Sequence, residues 1–160
     1  MSRGVVAFGL VALGGLLAGC GKEPVTIDAP APSGTAGDRC AALVEALPDD
    51  VADQHRRLVS PAAAPGAAWG DPPIVLTCGG DWKADPGAPC MDVNGVGWTA
   101  PEAQVLDLDR ADQAGPATLT TYGWSPAVRV QVPADYNPPA AVMVDLASAI
   151  KETLHRDRAC

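Results

Sequence analysis

The chain has 160 residues, with 19 acidic side chains against 11 basic ones and a formal net charge of −8. That length holds one ordinary domain. The charge sets the chain against phosphate backbones, and the absence of any basic stripe or basic–aromatic interleaving argues against nucleic-acid binding.

Arg3 is the only charge ahead of Lys22, and Val5 to Leu17 is an apolar run. A membrane-spanning helix needs about 20 apolar residues; the run is shorter, and fits the apolar region of a signal peptide, roughly 7–15 residues long. Leu17-Ala18-Gly19-Cys20 closes it with an apolar residue, two small ones and a cysteine, the lipobox pattern of bacterial lipoproteins. The sequence therefore predicts a signal peptide over 1–19 and a lipidated Cys20. Two or more acyl chains (palmitate among them) on one residue anchor stably where a single chain does not. The expected location is the extracytoplasmic face of the cell membrane, through a lipid anchor that holds an acidic chain against anionic headgroups. Residues 20–37 are rich in Pro and Gly and read as the lipidated cysteine plus a linker, which lifts a domain over 38–160 by at most about 50 Å.

Within that domain, Asp38 caps an expected helix with Cys40, Leu43, Val44 and Leu47 on one face. Pro48 then suits the first turn of a second short helix with Val51, His55 and Leu58 on one side. Pro73 to Cys78 reads as a buried strand and Gly79 to Pro89 as turn. Met91 to Trp98 reads as a partner strand, followed by a strand at 104–109 with an acidic face and by Ala117 to Tyr122, whose threonines favour extended backbone. Val128, Val130 and Val132 alternate with Arg129 and Gln131, a half-buried strand. Asn137 and Pro138 open a last helix with Val142, Leu146, Ala149, Ile150 and Leu154 on one stripe. Strands in one run, flanked by helices, predict an α+β fold: a largely antiparallel sheet of about five strands with an N-terminal and a C-terminal helix on one face.

Apart from Cys20 the cysteines are Cys40, Cys78, Cys90 and Cys160. An even number in an exported chain reads as two disulfides, and their wide spacing does not suit a metal. The expected pairing is Cys78–Cys90, stapling two strand ends across the turn, and Cys40–Cys160, joining the two helices if they pack antiparallel.

No nucleophile elbow, H-E-x-x-H motif, P-loop or dinucleotide fingerprint occurs, and no cofactor is expected. Asp107, Asp109 and Asp112 do not make a calcium loop, because Ala111, Asp112 and Thr118 stand where an oxygen ligand, Gly and Glu are needed. His55 and His155 lie in separate charged segments and are not expected to share a metal. The aromatic residues are more suggestive: Trp82, Trp124 and Tyr122 lie at or beside turns, where they can line a ligand or partner surface. Trp82 and Trp124 are the expected exposed pair.

The chain resembles the domain of unknown function 3515 family, lipoproteins and secreted proteins of high-GC Gram-positive bacteria. The matching stretches are Cys40 with Leu43 and Leu47-Pro48, Trp69 to Leu76 leading to Cys78-Gly79, Val93 to Val96 with Trp98, Thr121-Tyr122-Gly123, and Val130 to Tyr136. The resemblance implies location and architecture and no activity. The leading expectation is an envelope lipoprotein acting as a non-enzymatic binding or interaction module, with the membrane and an envelope protein or ligand as partners. The alternative is an envelope enzyme using dispersed groups such as Asp71, Asp107 or His55.

Overall fold

In the computed structural model, which describes residues 22–82, 88–101 and 115–160, the chain runs through twelve strands and two α-helices. The first part comprises β1 (Val25–Thr26), α1 (Gly34–Ala46), β2 (Asp50–Val51), β3 (Gln54–Arg57), β4 (Val59–Ser60), β5 (Gly66–Trp69) and β6 (Ile74–Cys78). Then come β7 (Cys90–Val93), β8 (Val96–Thr99), β9 (Ala117–Tyr122), β10 (Trp124–Ser125), β11 (Val128–Val132), a 3-10 turn at Ala134–Tyr136, α2 (Ala140–Thr153) and β12 (His155–Arg156). Cys20, the apolar run before it, the strand expected at 104–109, and Asp107, Asp109 and Asp112 lie outside the described residues.

Eight strands form one antiparallel sheet in the order β2-β3-β5-β6-β11-β9-β8-β7. The expected α+β class holds, but the sheet is larger than five strands. Met91 to Trp98 is two strands: Asn94 and Gly95, both at positive φ (51° and 83°), make the tight hairpin turn between them. Gly66-Ala67-Ala68-Trp69 is a strand with little β-branched character, buried throughout, so packing rather than propensity holds it extended.

One face of the sheet carries the helices. Val128, Val130 and Val132 point into a single core with Ile74, Leu76, Trp98 and Leu119, closed over by Leu43 and Leu47 from the first helix and by Val142, Leu146 and Ile150 from the last. The apolar stripes of both helices fall where the 3.6-residue period puts them. α2 reaches across the sheet. Near its start Asp145 Oδ2 accepts from Ala52 N at 2.7 Å, beside the β2 edge. Near its end Lys151 Nζ donates to Asn94 O at 2.9 Å, at the β7 edge.

The short helix expected after Pro48 is instead the β2–β3 hairpin. Ala52 and Asp53 take positive φ (50° and 59°), the conformation a two-residue primed turn requires. Leu58, expected on a buried face, is 75% exposed. The hairpin does work for α1 that a helix could not: Arg56 donates from Nη2 to Val44 O (2.8 Å) and from Nη1 to Leu47 O (3.1 Å), supplying a cation to a helix end with no basic residue in its last turn. The Arg56 guanidinium also lies 6.0 Å from the Trp69 ring centroid, and Trp69 Nε1 donates to Pro48 O.

The expected linker is partly built into the domain. Val25 and Thr26 pair in parallel with Val59 and Ser60, Ile27 is buried, and α1 begins at Gly34 behind Ser33 rather than behind Asp38. A strand of two residues among prolines has no periodicity to betray it.

The four cysteines form two disulfides, Cys40–Cys78 and Cys90–Cys160, with Cα–Cα distances of 5.6 and 5.5 Å. This overturns the expected pairing. β6 and β7 are adjacent in the chain but lie four ladder steps apart in the sheet. At about 4.8 Å per step that is roughly 19 Å, far beyond the Cα separation a disulfide tolerates. Cys78 instead points to the helix side, where Cys40 of α1 is buried.

Val130 is fully buried on the central strand with Leu76 and Leu119 as its neighbours across the two ladders. Replacing it with Asp buries an unpaired charge, and chemical denaturation should show a loss of several kcal/mol. Non-reducing peptide mapping should recover a Cys40–Cys78 peptide and a Cys90–Cys160 peptide, and none joining Cys78 to Cys90.

Candidate ligand-binding site

The sheet has a second face. Alternation along the strands puts Thr77 of β6, Arg129 and Gln131 of β11, Thr120 and Tyr122 of β9, and Thr99 and Gly97 of β8 on the side away from the helices. The ladders align four of these in one transverse row, Thr77–Arg129–Thr120–Thr99. Thr99 Oγ1 donates to Thr120 O at 3.4 Å.

Both described ends of the chain come to this face, and in its middle Thr99 and Thr120 are buried. On the β5 side, Ile27 Cδ1 lies 3.2 Å from where a β-carbon on Gly66 would stand. On the β8 side the chain leaves α2, pairs β12 with β10, and is held by Asp157 N donating to Gly123 O at 2.7 Å. It ends in the Cys90–Cys160 disulfide laid over Gly97. A β-carbon there would be 2.8 Å from Cys160 Sγ and 3.3 Å from Cys90 Sγ, so only glycine fits. Arg158, on this terminal segment, places its guanidinium 5.2 Å from the Tyr122 ring centroid.

Arg129 stands in the middle of the row, with its guanidinium 4.7 Å from the centroid of the Trp82 ring. Burial pushes its pKa below the ordinary arginine value. Its Nε is buried without a hydrogen-bond acceptor, and among the described residues no carboxylate forms an ion pair with it. Three other arginines differ, whereas Arg156 and Arg158, like Arg129, lie against aromatic rings. Arg39 Nη1 donates to Ser125 O, Arg56 to the end of α1, and Arg57 to Gly70 O and Glu23 O. Arg129 is a half-buried cation with its Nε out of water, and among the described residues its one favourable contact is an aromatic face.

The structure thus brings Trp82 and Tyr122 to one face of the sheet and leaves Trp124 out. Trp124 belongs to β10, is 8% exposed within the core cluster and has Arg156 6.0 Å from its ring centroid, so the expected exposed Trp82–Trp124 pair does not exist. Arg129 was legible only as the polar alternate of a strand. The overlooked signal is the surrounding threonine: the direct cross-strand neighbours of this cation carry hydroxyls rather than acids.

The acid–base candidates are scattered. Asp71 is exposed, and a hydrogen bond from Lys22 Nζ at 2.9 Å, together with that ammonium's charge, holds its carboxyl below the usual range. A general acid at neutral pH needs the opposite shift. His55 is exposed and contacts Asp50 across the β2–β3 hairpin. His155 sits 3.5 Å from Asp157 in the β10–β12 ribbon. Among the described residues no group of His, Cys, Asp and Glu is placed to hold a metal. A separate cavity of about 320 Å³ beside α1 is walled largely by small apolar residues such as Pro32, Ala41, Val44 and Pro65, with Glu45 as its charged member.

Layers, staples and the aromatic–cationic face together define a small disulfide-stapled α+β domain. The chain belongs to the DUF3515 family, described only as a protein of unknown function, and the match covers residues 4–159. No curated protein and no solved structure matches it.

A partly buried cation with no anionic partner among the described residues loses hydration that one aromatic contact offsets only in part. Arg129→Met should therefore leave the unliganded protein as stable as the parent or more so. A loss beyond about 2 kcal/mol in urea denaturation would instead make the Trp82 contact the reason for the arginine.

Proposed function

We propose that this protein is a non-enzymatic binding module of the cell envelope, cleaved ahead of Cys20, anchored by lipid on that cysteine and exposed on the outer face of the cytoplasmic membrane. The observation that carries the binding half is Arg129: a half-buried guanidinium against Trp82, in a row of threonines, its buried Nε without an acceptor and no carboxylate paired with it among the described residues. A buried donor left without an acceptor costs free energy that an acceptor on a ligand would return. The envelope half is supported by the lipobox and by the use of every cysteine after Cys20 in a disulfide, bonds that persist outside the reducing cytosol.

Cys20→Ala should abolish incorporation of labelled palmitate and leave an unprocessed or soluble form. A variant that still partitions into detergent as an acylated product of mature size would overturn the anchor. Trp82→Ala tests the binding half. It should reduce retention of the protein on isolated envelope material, measured as a bound fraction after washing, while both disulfides remain intact; unchanged retention would count against the face as a binding surface.

A further inference from the structure

We propose that the Arg129 site takes the carboxylate of its ligand, held in the guanidinium plane beside the hydroxyls of Thr77 and Thr120, with Trp82 against the ligand's body or Arg129's face. The assignment rests on the binding-module reading and names the chemistry of that same site. Trp82 lies against the guanidinium, and a partner that accepts hydrogen bonds from it must approach in plane, where the N–H bonds point. In that plane the buried Nε lacks an acceptor. A planar anion with two oxygens satisfies two parallel N–H donors at once, the fork geometry that arginine offers to carboxylates and phosphates alike.

Charge decides between those two. The row holds one half-buried guanidinium and otherwise neutral hydroxyls, in a chain of net charge −8. One cation matches a monoanion. A phosphate carrying more negative charge would leave an uncompensated excess inside an acidic protein. Arg158 is exposed and lies toward the disulfide end of the face, its guanidinium against the Tyr122 ring and outside the Thr77–Arg129–Thr120 row. Thr77 and Thr120 are the direct cross-strand neighbours of Arg129, one on each ladder, within the side-chain reach such pairs have. A peptide's terminal carboxylate and a sugar acid carry the same group, and both are soluble enough to compare directly.

The test is a titration of the full-length lipidated protein in detergent micelles, following the Arg129 Nε–H resonance by NMR. Four probes are used: N-acetylalanine, glucuronate, neutral N-acetylalaninamide and inorganic phosphate. Saturable movement with at least one carboxylate and none with the amide supports the proposal, and the tighter carboxylate distinguishes peptide from sugar. Phosphate binding as tightly as either carboxylate, or no movement with any probe to tens of millimolar, overturns it. Arg129→Lys keeps the charge but loses the fork, and should weaken the better carboxylate at least about tenfold. Should that variant fail to fold, Thr77→Val should weaken the same probe with the amide spectrum otherwise retained. Parental affinity in the folded variant tested overturns the proposal. A blank titration leaves the Cys20 anchor untouched, because acylation is measured separately.

Discussion

The two antiparallel ladders made by β11, one to β6 and one to β9, are the constraint from which the rest of the structure follows. Because side chains alternate, registering Val128, Val130 and Val132 toward the helices necessarily registers Arg129 and Gln131 the other way, and a slip of one residue would bury the arginine in the core. The ladders fix who stands beside whom: Leu76 and Leu119 flank Val130 inside, while Thr77 and Thr120 flank Arg129 outside. Core and candidate site are two readings of one register. Placing β11 between β6 and β9 also drives β6 away from β7, so that chain neighbours across Gly79 to Pro89 cannot share a disulfide.

What was legible in the sequence is what carries a period. The valines of β11, the Leu43–Leu47 stripe of α1 and the Val142–Leu146–Ile150 stripe of α2 repeat at the spacing of their element, and they form the core. What was not legible depends on single residues or on distant partners. The β2–β3 hairpin rests on Ala52 and Asp53 accepting positive φ, and the Ala52 amide is held by Asp145, 93 positions away. β1 exists because Ile27 and Val25 find Ser60 and Leu58, a pairing with no local signature. The disulfides required knowledge of strand order, which spacing does not contain. Of the aromatic residues singled out by turn position, Trp82 and Tyr122 lie on the helix-free side of the sheet, each against an arginine. Turn position misled for Trp124, since a residue after Gly123 turned out to be paired with Arg156 in a ribbon.

The two disulfides divide the labour. Cys40–Cys78 ties α1 to the central region of the sheet from within the core, and Cys90–Cys160 ties the terminal segment to the β7 edge on the other face. Closing separations of 38 and 70 residues is worth about 4 kcal/mol each in the chain-entropy model. The second bridge has a local consequence as well. It fixes the segment bearing Arg158 against Tyr122 and so builds one wall of the face on which Arg129 lies.

The opposite wall bears on how the domain would be presented. Under the proposed anchor at Cys20, the expected reach of the 20–37 segment is much shortened, because that segment is largely taken into the fold. Lys22 already bonds Asp71, and Val25 to Ile27 are paired and packed against the sheet. Only the stretch from Cys20 to Lys22 remains as tether, at most about 7 Å at the extended spacing per residue. An acidic domain held that close to anionic headgroups is repelled by them, within a screening length of about 8 Å at physiological ionic strength. The exposed Lys22–Asp71 bridge and Arg57 Nη2 donating to Glu23 O fasten this segment just ahead of Val25, where strand pairing begins.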